Sequence, residues 1–203
     1  MSKITAIQPQ VKDKKRVNVY IDGEFSCGLS LETVYKYNLI CGLEITAEKL
    51  SRMQFESEKQ GATEKAVSYI SRSMKTEKEV KDYLLKKGYI DTVVFYVLDK
   101  LKSYGYVDDF AYAKAYINSV KNKKGFKLIS FELYKKGIDK DTVLSAWEET
   151  EKSEDACLNV AEKYMKNKEI DDKNIKKLYS HLLSKGFSYD EAGEAVSKIK
   201  DKK

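Results

Sequence analysis

Proline and histidine are almost missing from this chain. There is one of each, Pro9 and His181, in 203 residues. A single histidine rules out an H-E-x-x-H metal site and any histidine pair for a metal. The three cysteines, Cys27, Cys41 and Cys157, are far apart and form no C-x-x-C. An odd number without metal spacing reads as reduced thiols of a cytosolic protein, serving as packing residues. No apolar run approaches the roughly 18 residues of a membrane span. The opening MSKITAIQPQ has no apolar core or small-residue cleavage site, so no signal peptide is expected. Neither G-x-x-x-x-G-K-[ST] nor a G-x-G-x-x-G after a strand occurs, so no nucleotide cradle is visible. The expectation is a cytoplasmic chain with no cofactor, no metal and no catalytic residues.

What is present is charge. Charged residues make up 34% of the chain, with only ten glycines, a helix-rich composition rather than a disordered one. The net charge of +6 permits a nucleic-acid or acidic-protein partner without demanding one.

Residues 4–30 read as strands. Val17, Val19 and Ile21 alternate with Asn18, Tyr20 and Asp22, the period of a half-buried strand. Asp22-Gly23 is a two-residue hairpin signal. A three-stranded antiparallel meander is expected, with β structure only before about residue 30. A short helix capped by Ser30 follows. Then comes TAEKLSRMQFESEKQ, with Leu50, Met53 and Phe55 as its apolar positions. Gly61 interrupts this pattern and marks a soft boundary.

From residue 62 the pattern is helical and repeats. YLLKKG, ELYKKG and HLLSKG end at Gly88, Gly137 and Gly186, spaced by 49 residues twice. Each repeat starts with Ala-x-x-Tyr-apolar: Ala66/Tyr69/Ile70, Ala113/Tyr116/Ile117 and Ala161/Tyr164/Met165. Each restarts after its glycine with an acid, Asp91, Asp141 or Asp190. Glycine past a helix end can take the left-handed conformation that satisfies the last carbonyls. Lysines before it suit the negative end of the dipole, and the acids suit the next helix's positive end. Thr76-x-x-Glu79 and Ser188-x-x-Glu191 are capping boxes. Asp108-Asp109 and Asp171-Asp172 read as helix caps rather than as metal or acid–base pairs. Trp147 reads as core and His181 as a surface or partly packed residue.

The expected fold is therefore mainly α: three tandem three-helix repeats in an elongated array, preceded by a small antiparallel β-meander. The domains are 1–61 (meander plus helical linker), 62–107, 108–152 and 153–203.

Residues 114–136 carry seven lysines against Glu132 alone, a local charge of +6. Tyr116, Phe126, Phe131 and Tyr134 interleave with them. Lysines among aromatics suit phosphate contact with base stacking. Composition alone favours a solvated face whose aromatics point inward.

These residues resemble the RecX family, regulators of the RecA recombinase. The resemblance rests on A-x-x-Y-I-S-R at Ala66–Arg72, TEKEVKDYLLKKGY at Thr76–Tyr89, GYVDDFAYA at Gly105–Ala113 and ELYKKGI at Glu132–Ile138. It covers roughly residues 62–200, and the meander is similar to an extension of longer members. It implies a monomeric binding regulator, not an enzyme, whose partners are the RecA filament and, more weakly, single- or double-stranded DNA. Such a regulator limits filament growth and damps recombination and coprotease activity, within DNA repair and the SOS response. The alternative is a helical-repeat DNA-binding or scaffold protein that does not act on RecA. With the resemblance in view, the expected contact residues are Arg72, Lys75, Lys86, Lys87, Lys121, Lys123, Lys124, Lys127, Lys135 and Lys136. The segment Ser71–Lys75 holds only one arginine, Arg72, where many members have more, so the resemblance alone does not establish guanidinium-specific contacts for this segment.

Overall fold

Asp22 and Gly23 both have positive φ, 50° and 92°, and turn β2 (Arg16–Ile21) into β3 (Glu24–Ser30). The two strands pair antiparallel from Ile21↔Glu24 to Arg16↔Ser30, as the alternating pattern predicts. The computed structural model describes residues 2–11, 13–151, 153 and 155–201. Over these residues the chain forms two compact units. One runs up to Ser73 and adds Val80–Tyr106; the other holds Met74–Glu79 and everything from Val107 onward.

In the first unit β1 (Ser2–Pro9) completes the meander. The sheet is not three-stranded, however. A fourth strand, β4 (Glu44–Ile45), pairs with β1, giving the order β3-β2-β1-β4. Ile4, Val17, Val19, Cys27, Leu29, Leu39, Ile45 and Met53 form one core. Met53 comes from α2 (Ala47–Ile70), so the sheet's apolar face is closed by a helix. Helix α1 (Leu31–Lys36) is capped by the Ser30 hydroxyl, as expected. The Ser30 N–H in turn donates to the buried Ser57 Oγ of α2 at 2.6 Å.

The expected interruption at Gly61 is absent, because α2 runs through it unbroken. A side chain here would crowd the Tyr89 hydroxyl, which lies 3.3 Å from the position of a Cβ. That hydroxyl accepts from Lys65 Nζ at 2.9 Å. Glycine therefore serves a close helix approach, and packing on both sides outweighs its roughly 1 kcal/mol helix cost.

Helices α3 (Glu77–Lys86) and α4 (Asp91–Ser103) follow. Val93, Val97, Leu98 and Leu101 are buried, the predicted face of α4. In the second unit α5 (Asp109–Val120), α6 (Phe126–Lys135) and α7 (Lys140–Glu148) enclose Ala113, Ile117, Ile129, Leu133, Ile138, Val143 and Ala146. Trp147 lies half-buried at the edge of this core, its ring 5.1 Å from Phe126. Helices α8 (Ala156–Met165), α9 (Asp172–Ser184) and α10 (Tyr189–Lys200) enclose a separate core around Ala161, Leu178, Leu182 and Phe187.

The repeat is real at atomic detail. Gly88, Gly137 and Gly186 have φ of 88°, 90° and 87°. After each, the next N–H bonds back to the carbonyl five residues earlier: Tyr89 to Leu84, Ile138 to Leu133 and Phe187 to Leu182. All six of these side chains are buried, the apolar clasp that accompanies this helix ending. Both capping boxes form. Asp108 and Asp171 cap α5 and α9. Of the cysteines, Cys27 and Cys157 are packed inside, and burial pushes both thiols up to about 11. Cys41 is exposed, against the expectation of a packing residue.

Candidate binding surface

The +6 of residues 114–136 is a property of the linear sequence, and the fold redistributes it. Lys114 pairs with Glu149 at 2.9 Å. Lys136 pairs with Glu79 at 2.6 Å. Lys124 donates to both oxygens of Glu132, at 2.6 and 2.8 Å, and to the Tyr116 hydroxyl at 3.3 Å. Tyr116 also bonds Glu132. The bond to Glu132 raises Lys124 above its ordinary value. Partial burial opposes ionisation of Glu132, but the Lys124 and Tyr116 hydrogen bonds hold its carboxyl below the usual range. Lys121 donates to the Glu151 carbonyl at 2.7 Å.

Lys123, Lys127 and Lys135 remain outward. Lys123 is exposed in the turn before α6. Lys127, Phe131 and Lys135 stand four residues apart on α6 and so form one stripe, and all three are exposed. Lys135 Nζ lies 4.3 Å from the centre of the Phe131 ring. Lys127 Nζ lies 4.8 Å from the Tyr189 ring. Phe131, Tyr134 and Tyr189 are 53%, 41% and 64% exposed, so this face offers flat aromatic surface beside ammonium groups. Tyr116 and Phe126 turn inward instead. The aromatics thus divide between the two alternatives that composition left open. At the 49-residue equivalents α3 has Lys78, Asp82 and Lys86, and α9 has Lys176, Ser180 and Ser184. Only α6 carries lysine–aromatic–lysine.

Tyr189 was not legible as a site residue. It lies far along the sequence in a stretch without basic character. The start of α6 brings it close, because the Gly125 N–H donates to the Lys185 carbonyl at 2.9 Å and the Lys127 N–H to the Gly186 carbonyl at 3.1 Å.

The other expected contacts are dispersed. Arg72 is exposed in the turn after α2, and Lys86 and Lys87 are exposed at the end of α3. Lys87 Nζ sits 5.5 Å from the Tyr83 ring, which stacks on Tyr69 at 4.2 Å. These three belong to the first unit. Lys75 is half-buried in the second unit, near Glu79. The first unit also holds an open cleft of about 440 Å³ whose lining mixes Lys15, Arg16 and Lys65 with Asp13, Glu32 and Glu64. Its balanced charge does not select an anion.

Among the described residues no three His, Cys, Asp or Glu side chains are grouped to hold a metal, and no helix is long and apolar enough to cross a membrane. His181 stacks on Tyr164 at 4.5 Å, and Lys168 Nζ lies 3.2 Å from the centre of the same Tyr164 ring. The arrangement on α6 sets ammonium groups beside exposed rings, the chemistry that suits phosphate or carboxylate groups and flat rings.

Comparison with known proteins agrees with the repeat structure. The model of the regulatory protein RecX N-terminal domain matches residues 2–46. The first, second and third three-helix domains of RecX match residues 62–101, 108–146 and 152–196. Regulatory protein RecX of Clostridium beijerinckii is 34% identical over 98% of this chain and 96% of its own length. That of Clostridium acetobutylicum is 37% identical over 97% and 95%. A crystal structure of regulatory protein RecX superposes with a TM-score of 0.65 at 24% identity, covering 98% of this chain and all of that one. RecX from Lactobacillus salivarius gives a TM-score of 0.64 at 27% identity, covering 70% and 96%. With all four of its parts matched in chain order and relatives alike from end to end, the chain belongs to the RecX family of regulatory proteins.

Proposed function

We propose that this chain acts as a monomer in the cytoplasm, binds the RecA–DNA filament and restrains its growth, thereby damping recombination and coprotease activity. Family membership supports the regulatory role. The observation that carries the surface is the α6 stripe, Lys127–Phe131–Lys135, with Lys123, Tyr134 and Tyr189 around it. Ammonium groups beside exposed rings fit phosphates and unstacked bases, or acidic patches of the filament protein. Arg72, Lys75, Lys86 and Lys87 are secondary contacts in this reading. Lys121, Lys124 and Lys136 contribute less, because internal acceptors already hold them. The chain's role is binding, not catalysis.

The test is RecA's ATP hydrolysis on single-stranded DNA together with filament length, with and without this protein. Reduced hydrolysis and shorter filaments are expected at protein concentrations too low to coat the DNA. Because the α6 stripe would also suit free single-stranded DNA, the competing reading is a DNA-binding or scaffold protein that leaves RecA alone. Effects appearing only once the DNA is coated would favour it.

A further inference from the structure

The 49-residue repeat extends to the contacts between helices. Near the start of α3 the Thr76 hydroxyl donates to the Lys136 carbonyl at 2.8 Å, 60 residues on. At the start of α6 the Gly125 N–H donates to the Lys185 carbonyl at 2.9 Å. Thr76 and Gly125 are equivalent positions, and so are Lys136 and Lys185. Each contact seats the first turn of one second helix on the glycine cap of the next. The fit is close both times. A Cβ on Gly137 would stand 2.5 Å from Lys78 Cβ, and one on Gly186 would overlap the backbone of Leu128.

The rule leaves two ends. One is the cap of α3, where Lys87 and Gly88 occupy the receiving positions. Gly88 is exposed, and a Cβ there would meet nothing within 4 Å. The other is the start of α9, where Asn174 occupies the donating position. This end departs from the rule. Helix α9 begins earlier than its equivalents, at Asp172, and its cap Asp171 accepts the Asn174 N–H at 2.7 Å. Asn174 Nδ2 is also used, donating to the Glu169 carbonyl at 3.1 Å. Both Asn174 donors that could reach a Lys87 carbonyl are thus taken by bonds at the start of the chain's own α9.

We propose that the first turn of α9 is a terminator that stops copies of this chain from adding head to tail through the open Gly88 cap. The partner excluded is a second copy, because its α9 is, among the described residues, the one second helix whose start seats on no cap. Repeat arrays need such atypical ends, since a self-complementary junction that does not close grows into open chains.

The experiment removes the terminator from the full chain. Residues Asp171, Asp172 and Lys173 are deleted and Asn174→Thr recreates the donor found at Thr76. Sedimentation velocity is then run over a concentration series, with helicity followed by circular dichroism. The variant should self-associate at least about tenfold more tightly than the parent, the equivalent of one net hydrogen bond. Adding Gly88→Ala should abolish this, because a Cβ there would strike the incoming turn. Should the deletion variant fail to fold, the comparison is made with Asp171→Ala plus Asn174→Thr, which frees the donors at full length and should show a weaker, Gly88-dependent association. A folded variant that stays as monomeric as the parent, a parent that already associates through Gly88, or association indifferent to Gly88→Ala would each overturn the proposal.

Discussion

Lys136 Nζ lies 2.6 Å from Glu79 Oε1 across 57 residues of sequence, and the same Glu79 accepts the Thr76 N–H within its capping box. One carboxylate thus closes a helix start and holds a distant lysine. Partial burial works against its charge, but the Lys136 and Thr76 hydrogen bonds keep its carboxyl below the ordinary 4.5. A carboxylate with a lowered folded value contributes stability above its unfolded value and loses it as pH falls through the folded one. Glu79→Gln should therefore lower stability at neutral pH by up to about 1 kcal/mol, the pair being partly exposed. The difference from the parent should begin to shrink as the pH drops below about 4.3, the unfolded carboxylate value, and vanish only below the lowered folded value. Urea unfolding at pH 7 and pH 3 checks this.

The three cap glycines should not be equally sensitive. Alanine at Gly88 meets only backbone strain, about 1 kcal/mol. At Gly137 it must also push aside Lys78, and at Gly186 it meets the Leu128 backbone. Thermal unfolding should rank the losses Gly88→Ala, then Gly137→Ala, then Gly186→Ala. A β-branched side chain at Gly137 should cost more than alanine there. Equal shifts at all three would contradict the close seating described above.

Charge reversal separates the outward lysines from the paired ones. Lys→Glu at 123, 127 and 135 together should weaken binding to single-stranded DNA or filament at low salt. Each lost phosphate contact should lower the log–log salt slope by roughly 0.7. Reversal at Lys198 and Lys200 in the last turn of α10 should do much less; Lys202 lies outside the described residues. Equal losses from the two sets would mean bulk charge governs binding. Lys124→Glu should act differently, costing stability because Glu132 and Tyr116 lose their partner.

The exposed rings give a test independent of charge. Phe131→Ala with Tyr134→Ala should leave the melting temperature within a degree or two, since both are surface residues. Affinity for single-stranded DNA should fall by about 1–3 kcal/mol per stacked base lost. Duplex DNA, whose bases are already stacked, should be affected much less. Equal loss on both forms would place the rings away from the nucleic acid.

His181 offers a single-site pH probe. Burial, then Lys185 and Lys168, hold it below its ordinary 6.5. The unfolded chain therefore takes up a proton at higher pH than the folded one. Stability from this site is complete above about 6.5 and declines as pH falls through the folded value. His181→Phe should remove that slope from pH 7 to 5, as read by urea midpoints, while keeping the ring stack on Tyr164.

Much of this was legible because helix ends are local events. A glycine, the lysines before it and the acid after it announce a cap within six residues, so the repeat emerged from spacing alone. Asp22-Gly23 announced its hairpin for the same reason. Two-residue β4 has no period to detect, so the meander was undercounted. Gly61 was misread because a helix breaker is judged locally, whereas α2 is held by Tyr89 and the sheet. The pairing of Lys136 with Glu79 and of Lys114 with Glu149 joins residues distant in sequence. No composition window could show that half the apparent basic patch is spoken for, or that Tyr189 sits beside Lys127.

The uneven placement of the three cysteines makes the protein ready for site-directed labelling without mutagenesis. Thiolate is the species that reacts with maleimides and iodoacetamides. Cys27 and Cys157, buried and pushed up to about 11, present almost none of it near neutrality. Cys41, exposed in the loop before β4, takes the reagent. A fluorophore or spin label added to the unmodified chain should therefore report from one corner of the sheet, leaving the lysine–aromatic face of α6 chemically untouched.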